Sequence, residues 1–594
     1  MTTHGDDSDP AETSSVAAEP PLPAALGDLR TAITAATYPL ALASARTARD
    51  CATVVTDQLD DYLLPRLSRL DAPLLVVVGG STGAGKSTLV NSLVQARVSA
   101  SGVLRPTTRS PVLVCNPADT TWFRAGELLP GLTRTNEPGD TTDTLQVVAA
   151  PALPAGLAFL DAPDIDSVVD ANRALAGQLL AAADLWLFVT TAARYADAVP
   201  WGLLRTARDR GTVVAMVLDR VPPEAADEIR DHLAEMLTAN DLGDAPLFVL
   251  PETVISGQGM LPEPVVTELR DFFARLAADS DARDAVVRQT LDGALAALHP
   301  AVAQLADAAD EQATAATALD ERVEAAYRGA RRTVEQAVQD GRLLRGEVLA
   351  RWQEFVGTGE FLRGLEARIG RLRDRVVAAV TGRTPPAAEL RDAIESQLVT
   401  LLRGVAADAA EQAYTGWQAH PAGAALLTPE LARPGADLGE RAERLVRDWQ
   451  RDVLELVRAE GGDKRFVART AAYAVNATGV TVMIAVFAST AFIPTGLEVA
   501  TGAGTAVAAQ SVLQAIFGDQ AVRTLAARAR TDLLTRVDAL LAEEAARYTA
   551  LTAVAAEAGP TAERLRAAAA EVAAAHREFG LAEPPGHAPA GSAT

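Results

Sequence analysis

At 594 residues the chain has room for roughly three or four domain-sized units, and a hydrophobic content of 49% allows large cores. Aromatics are only 4%, so packing rests on Ala, Leu and Val, as in helical bundles. A formal net charge of -23 disfavours nucleic acid as the main partner, because phosphate backbones bind basic surfaces, and two cysteines, Cys51 and Cys115, exclude a disulfide framework.

Residues 1–24 are rich in Asp, Ser, Pro, Ala and Glu and lack both a periodic apolar face and an apolar signal core, so they read as a disordered acidic tail. The domain that follows is therefore expected to face the cytoplasm. An N-terminal helix is expected over 25–72, with Leu59, Leu63, Leu64 and Leu67 at helical spacing, placed to pack against helices from the far end of the chain.

From 73 to 280, short β-branched runs alternate with helical stretches, which predicts an α/β domain with a mostly parallel sheet. The expected strands are Leu74–Val78, Pro111–Cys115, Leu145–Ala149, Gly156–Leu160, Leu185–Thr190, Thr212–Leu218 and Leu247–Leu250. Ala/Leu/Arg/Glu-rich helices over 281–469 then read as a stalk. Within it Arg363, Arg368, Arg371, Arg373, Arg375 and Arg383 form a basic block, read as a solvated helix face or, alternatively, as a surface for anionic lipid or a partner.

Residues 470–518 change character. Thr470–Leu497 has no charged side chain, Glu498 interrupts, and Val499–Gly518 is again uncharged, with Pro494-Thr495-Gly496 as a turn. Each arm, at about 20 residues, is long enough to cross a hydrocarbon core or to dip into it as a paddle-like hairpin. Lys464, Arg465 and Arg469 on one flank and Arg523, Arg528 and Arg530 on the other place both ends on the cytoplasmic side. The alternative is a buried helical hairpin in a soluble bundle. Stalk helices resume over 519–580, and 581–594 reads as a second disordered tail.

The chemistry is concentrated in the α/β region. Val76-Val77-Val78-Gly79-Gly80-Ser81-Thr82-Gly83-Ala84-Gly85-Lys86-Ser87-Thr88 is a strand, a glycine-rich turn and a helix start, and Gly80 to Ser87 fits G-x-x-x-x-G-K-S without a mismatch. Backbone N–H groups of Gly80, Ser81, Gly83, Ala84 and Gly85 would turn inward around phosphate, aided by the positive end of the helix at Ser87 and Thr88. Lys86 would bridge the β- and γ-phosphates and Ser87 would ligate Mg²⁺. Lysine stands only at Lys86 and Lys464, every other basic residue being arginine; a compact ammonium is kept where a guanidinium would not fit.

About twenty residues on, Leu104-Arg105-Pro106-Thr107-Thr108-Arg109 offers a switch threonine to complete the Mg²⁺ shell, Thr108 first and Thr107 in reserve. Leu157-Ala158-Phe159-Leu160-Asp161-Ala162-Pro163-Asp164 is an apolar strand ending in Asp161, the expected Walker B carboxylate on the metal.

These three runs together resemble the GTPase domain of the bacterial dynamin-like proteins and their Era/septin-related neighbours, over roughly Leu74 to Glu252. Long helices and a late apolar hairpin complete a layout similar to the membrane-remodelling dynamins. The resemblance implies GTP hydrolysis with Mg²⁺, a helical stalk, a membrane-inserting paddle, and dimerisation or higher self-assembly, with a paralogous dynamin-like chain as a further partner. It also implies a cytoplasmic protein associated with anionic lipid at, or inserted in, the inner cell membrane.

The sequence departs from the family pattern at four places. Asp164 replaces the glycine of D-x-x-G, whose N–H meets the γ-phosphate. Ile165 stands where Ras-like GTPases keep a water-orienting glutamine, which dynamins also lack. Gly83 replaces a usual catalytic serine, leaving Thr82 as the nearest hydroxyl. Asp219-Arg220-Val221-Pro222 stands for the guanine-reading N/T-K-x-D, with Arg220 expected to stack on the base and Asp219 to read it after a register shift. GTP over ATP rests on the resemblance. A soluble Era-like regulatory GTPase acting on a protein or ribosomal partner is the competing function, weakened by the lack of an RNA-binding module. A transport ATPase would need an L-S-G-G-Q signature that the chain lacks.

Overall fold

In the computed structural model, residues 22–99, 110–124, 128–137, 143–167, 170–340, 343, 347–348, 350–351, 386–461, 480, 482–483, 486 and 519–579 are described. The chain forms two compact units, one of Met1–Tyr38, Ala43–Asp310 and Ala558–Thr594, the other of Pro39–Leu42 and Glu311–Glu557. The boundary expected at 280/281 falls instead at 310/311, inside the continuous helix Ser280–Gln339.

The first unit is built on an eight-stranded sheet: β1 (Leu74–Gly80), β2 (Val112–Cys115), β3 (Thr133–Thr135), β4 (Thr144–Ala149), β5 (Leu157–Asp161), β6 (Leu185–Thr191), β7 (Val213–Val221) and β8 (Leu247–Pro251). Their spatial order is β3-β4-β2-β5-β1-β6-β7-β8. All seven expected strands form. The addition is β3, three half-exposed polar residues at the sheet edge that carry no apolar run to announce them.

Every junction is parallel except β2–β5, so β2, β3 and β4 run opposite to the rest. Val112, the first residue of β2, consequently pairs with Asp161, the last of β5. The central strand β1 is buried along its whole length between β5 and β6, which is why its sequence reads as a continuous apolar run.

The foot of β1 is fixed by a buried carboxylate. Asp184 accepts from the Leu75 N–H at 2.8 Å and the Tyr62 hydroxyl at 3.2 Å, and lies 3.2 Å from Arg66 Nε. Tyr62 and Arg66 come from the N-terminal helical region. That region is not the single helix expected over 25–72. Helices Leu22–Ala35 and Ala43–Gln58 are separated at Tyr38-Pro39, where proline disfavours helix in the residue before it, and a π-helical turn, Leu59–Leu63, leads into Leu64–Ser68. Leu22–Ala35 packs on Ala558–Glu578, the far-end contact its position predicted. The helix begins inside the span expected as tail; residues 1–21 lie outside the described residues.

The helix Ser280–Gln339 reaches the sheet through two glycines: a Cβ on Gly293 would stand 2.4 Å from Gly211 Cα. Thr290, one turn earlier, donates to the Asp184 carbonyl at 2.8 Å.

The second unit is helical. Its core gathers Trp417, Trp449 and Tyr548 from Pro386–Gln418, Leu438–Gly461 and Asp519–Ala556, each with its polar atom on a backbone carbonyl: Trp417 on Leu319 at 3.0 Å, Trp449 on Ala529 at 2.8 Å, Tyr548 on Leu431 at 2.6 Å. Such pairing lets large amphipathic rings be buried without an orphaned donor. Val480, Val482, Met483 and Val486, the described part of the expected 470–518 hairpin, are buried in this same core. The remainder of that hairpin and the basic block Arg363–Arg383 lie outside the described residues. Among the described residues no helix is long and apolar enough to cross a membrane.

Candidate active site

The turn from β1 into the helix Lys86–Leu93 has the geometry of a phosphate cradle. Gly80, Gly83 and Gly85 take positive φ values of 149°, 76° and 94°. Gly85 is the helix N-cap and supplies no side-chain acceptor to the first turn, the end of a helix that favours an anion. At Gly85 a side chain is barred twice, by its left-handed backbone and by the Asp219 carboxylate, whose Oδ2 would lie 2.6 Å from an added Cβ.

Lys86 is buried, with Nζ donating to the carbonyls of Gly80 at 2.9 Å and Ser81 at 3.2 Å and to Asp164 Oδ1 at 2.5 Å. Ser87 Oγ donates to Asp161 Oδ2 at 2.6 Å. A second hydroxyl, that of Ser99, donates to the same oxygen at 2.6 Å. Ser99 is delivered by Asn91, whose Oδ1 accepts from the N–H groups of Val98 and Ser99 and whose Nδ2 donates to the Ser99 carbonyl. The other oxygen, Asp161 Oδ1, is buried with no hydrogen-bond partner. Burial raises the Asp161 carboxyl above the usual range despite Ser87, Ser99 and Lys86. A fully buried carboxylate with one oxygen saturated and the other free, beside a serine at a helix start, fits a hard divalent cation. Ser87 and Asp161 would hold it, and it would supply charge neutralisation at the phosphates.

The segment after β5 closes over the cradle. Ile165 N–H donates to the Gly80 carbonyl at 3.4 Å. Asp166 Oδ1 accepts from both the N–H and the hydroxyl of Thr82, at 2.6 and 2.7 Å, and Oδ2 accepts from Arg194 Nη2 at 2.7 Å. Burial pulls the Asp166 carboxyl up, but Thr82 and Arg194 outweigh it and hold it below the usual range. Arg194, from the turn after β6, also donates to the Thr82 carbonyl at 3.1 Å. Thr82, expected as a catalytic hydroxyl, is thus engaged by Asp166.

The expected base reader is only partly where it was placed. Asp219 is buried against Gly85, its Oδ1 accepting from the Arg220 N–H at 2.8 Å, and burial raises its carboxyl. Arg220 is exposed, with φ 53° at an irregularity in β7 between Leu218 and Val221. Asp219 thus lies beside the P-loop, its carboxylate against Gly85. Ala84 and Thr88 lie within the loop and helix as expected, and Thr107 and Thr108 lie outside the described residues. Sequence reasoning missed Ser99, Asp166 and Arg194. Asp166 was visible as the third aspartate in Asp161–Asp166; Ser99 carried no spacing signal.

No family model and no curated protein matches the chain. Among the solved structures it is similar to are bacterial dynamins. Two are chains of an oligomerised bacterial dynamin pair described as providing a mechanism for the long-range sensing and tethering of membranes. One, at 10% identity and TM-score 0.42, covers 94% of this chain and 96% of the other; the second, at 9% and 0.42, covers 95% and 97%. LeoA, a bacterial dynamin GTPase from ETEC, aligns at 12% identity and TM-score 0.22 over 94% of this chain and 98% of its own.

Proposed function

We propose that this chain is a Mg²⁺-dependent P-loop GTPase of the dynamin type that couples self-assembly to membrane binding at the cytoplasmic face. The observation that carries the nucleotide reading is the seat of Lys86: a buried ammonium inside the turn of three positive-φ glycines, one residue from a serine that donates to the half-satisfied Asp161. Lys86 would bind the β- and γ-phosphates, Ser87 and Asp161 the metal, and Thr108 would complete the metal shell in the triphosphate state. Guanine is favoured by the motif resemblance, with exposed Arg220 available to stack on the base.

The membrane limb rests on the composition of 470–518 and its basic flanks. One observation favours the second reading, a soluble regulatory GTPase: Val480, Val482, Met483 and Val486 are buried in the helical unit's own core. The two are separated by measuring GTP and ATP hydrolysis with and without anionic liposomes for wild type, Lys86→Ala and the double variant Phe492→Asp/Leu497→Asp, which puts charge into the apolar stretch. GTP turnover stimulated by liposomes and lost in the double variant supports the membrane reading. Liposome co-sedimentation that is unchanged in the double variant overturns insertion of the apolar stretch, no co-sedimentation of the wild type supports the soluble switch, and ATP turnover exceeding GTP turnover overturns the base assignment.

A further inference from the structure

Two carboxylates of one short segment sit on donors that a bound triphosphate would need. Asp164 Oδ1 is 2.5 Å from Lys86 Nζ, and Asp166 Oδ1 accepts from the Thr82 N–H at 2.6 Å. The backbone between them is tied to the same loop by the Ile165 N–H, which donates to the Gly80 carbonyl, and the segment is turned on itself by the Ser167 N–H, which donates to the Asp164 carbonyl. The pair is well sheltered, Lys86 and Asp164 side chains being 6% and 21% exposed, so solvent screens it little. Phosphate oxygens and a carboxylate ask the same thing of a lysine, a charge-assisted hydrogen bond from one ammonium.

We propose that Asp164 is a built-in competitor for the nucleotide phosphates and thereby the residue that sets nucleotide affinity, with Asp166 holding the segment in the competing position. The inference rests on the nucleotide-site reading above. Binding exchanges Asp164 for phosphate at Lys86, and the displaced carboxylate, repelled by the phosphate charge, carries the 162–167 segment off the loop. Because Arg194 bridges Asp166 and the Thr82 carbonyl, and Ala192 N–H donates to the Asp219 carbonyl, that displacement is felt in the turn after β6 and at the Gly85 buttress. Apparent affinity is reduced by the fraction of molecules in which the cradle is open, so removing the competitor raises it.

The test is equilibrium binding of fluorescent GTP and GDP to the full chain, alongside thermal melting without nucleotide, for wild type, Asp164→Asn and Asp166→Asn. Asp164→Asn should bind GTP about tenfold more tightly and, without nucleotide, melt at lower temperature, having lost the partner of a buried lysine. Asp166→Asn should gain less affinity, because Lys86 keeps its partner. Equal or weaker GTP binding by a folded Asp164→Asn overturns the competitor. Should that variant fail to fold, tighter binding by Asp166→Asn upholds it and unchanged binding overturns it. Absence of GTP and GDP binding in all three chains overturns the nucleotide-site reading itself, a different result from equal binding in all three.

Discussion

Asp161 and Asp184 are both fully buried, both raised by burial, and stand at opposite ends of the same sheet. Asp184 is enclosed by Arg66, Tyr62 and the Leu75 N–H, one partner from each element that meets at the foot of β1. Asp161 has two serines on one oxygen and nothing on the other. On the proposed function, the difference separates a carboxylate that holds the fold from one that the fold holds for a ligand. Burial costs both; only Asp184 has a full set of compensating partners, and the shortfall falls at the end of the sheet where the nucleotide site is proposed.

The widest separation between the two is expected from alanine substitutions. Asp161→Ala should lower GTP turnover by at least about a hundredfold while leaving the melting temperature of the metal-free protein unchanged or higher, since a penalised charge is removed. Asp184→Ala should instead cost about 3–5 kcal/mol of stability in denaturant titration, because Arg66 is left buried and unpaired. Equal loss of stability in both would erase the distinction.

The pH response sharpens it. A carboxyl raised in the folded state binds more protons folded than unfolded between its ordinary value and its raised one, so its contribution to stability falls as pH rises through that window. Asp161→Asn should therefore gain stability over wild type as pH rises through that window, hold the gain above it and lose it in acid; chemical denaturation across that range checks the sign.

Smaller effects come from backbone positions on each side. Gly85→Ala meets both its 94° φ and Asp219, and should weaken nucleotide binding about tenfold by equilibrium measurement. Gly293→Ala, against Gly211 far from the cradle, should cost about 1–3 kcal/mol in melting experiments and leave affinity unaltered. Least of all, Ser99→Ala should cost about 1 kcal/mol and reduce metal affinity modestly, since Ser87 still holds Asp161.

What was legible in the sequence follows the same line. The sheet could be read because β1, β5 and β6 are buried on both faces and so are written as unbroken apolar runs. The meeting of Lys86, Ser87 and Asp161 beside the glycine turn could be read because the G-x-x-x-x-G-K-S pattern and the strand-end aspartate fix their places along the chain. The break at Pro39 was hidden inside an otherwise continuous helical periodicity. Ser99, Asp166 and Arg194 act through space, from a loop and from the turns after two different strands, and no spacing rule ties them together. The contact of Asp219 with Gly85 was not legible, because the sequence shows the residue type and not that the irregularity after Leu218 leaves its side chain against that glycine.

The burial of Lys86 has a practical side. In a chain whose only other lysine is Lys464, an amine-selective acylating reagent has two side-chain targets besides the N-terminus. With its ammonium sealed by two carbonyls and Asp164, Lys86 should resist modification, and peptide mapping would give a footprint of the cradle with almost no background. The scarcity of lysine thus turns the most guarded atom of the site into its own chemical reporter.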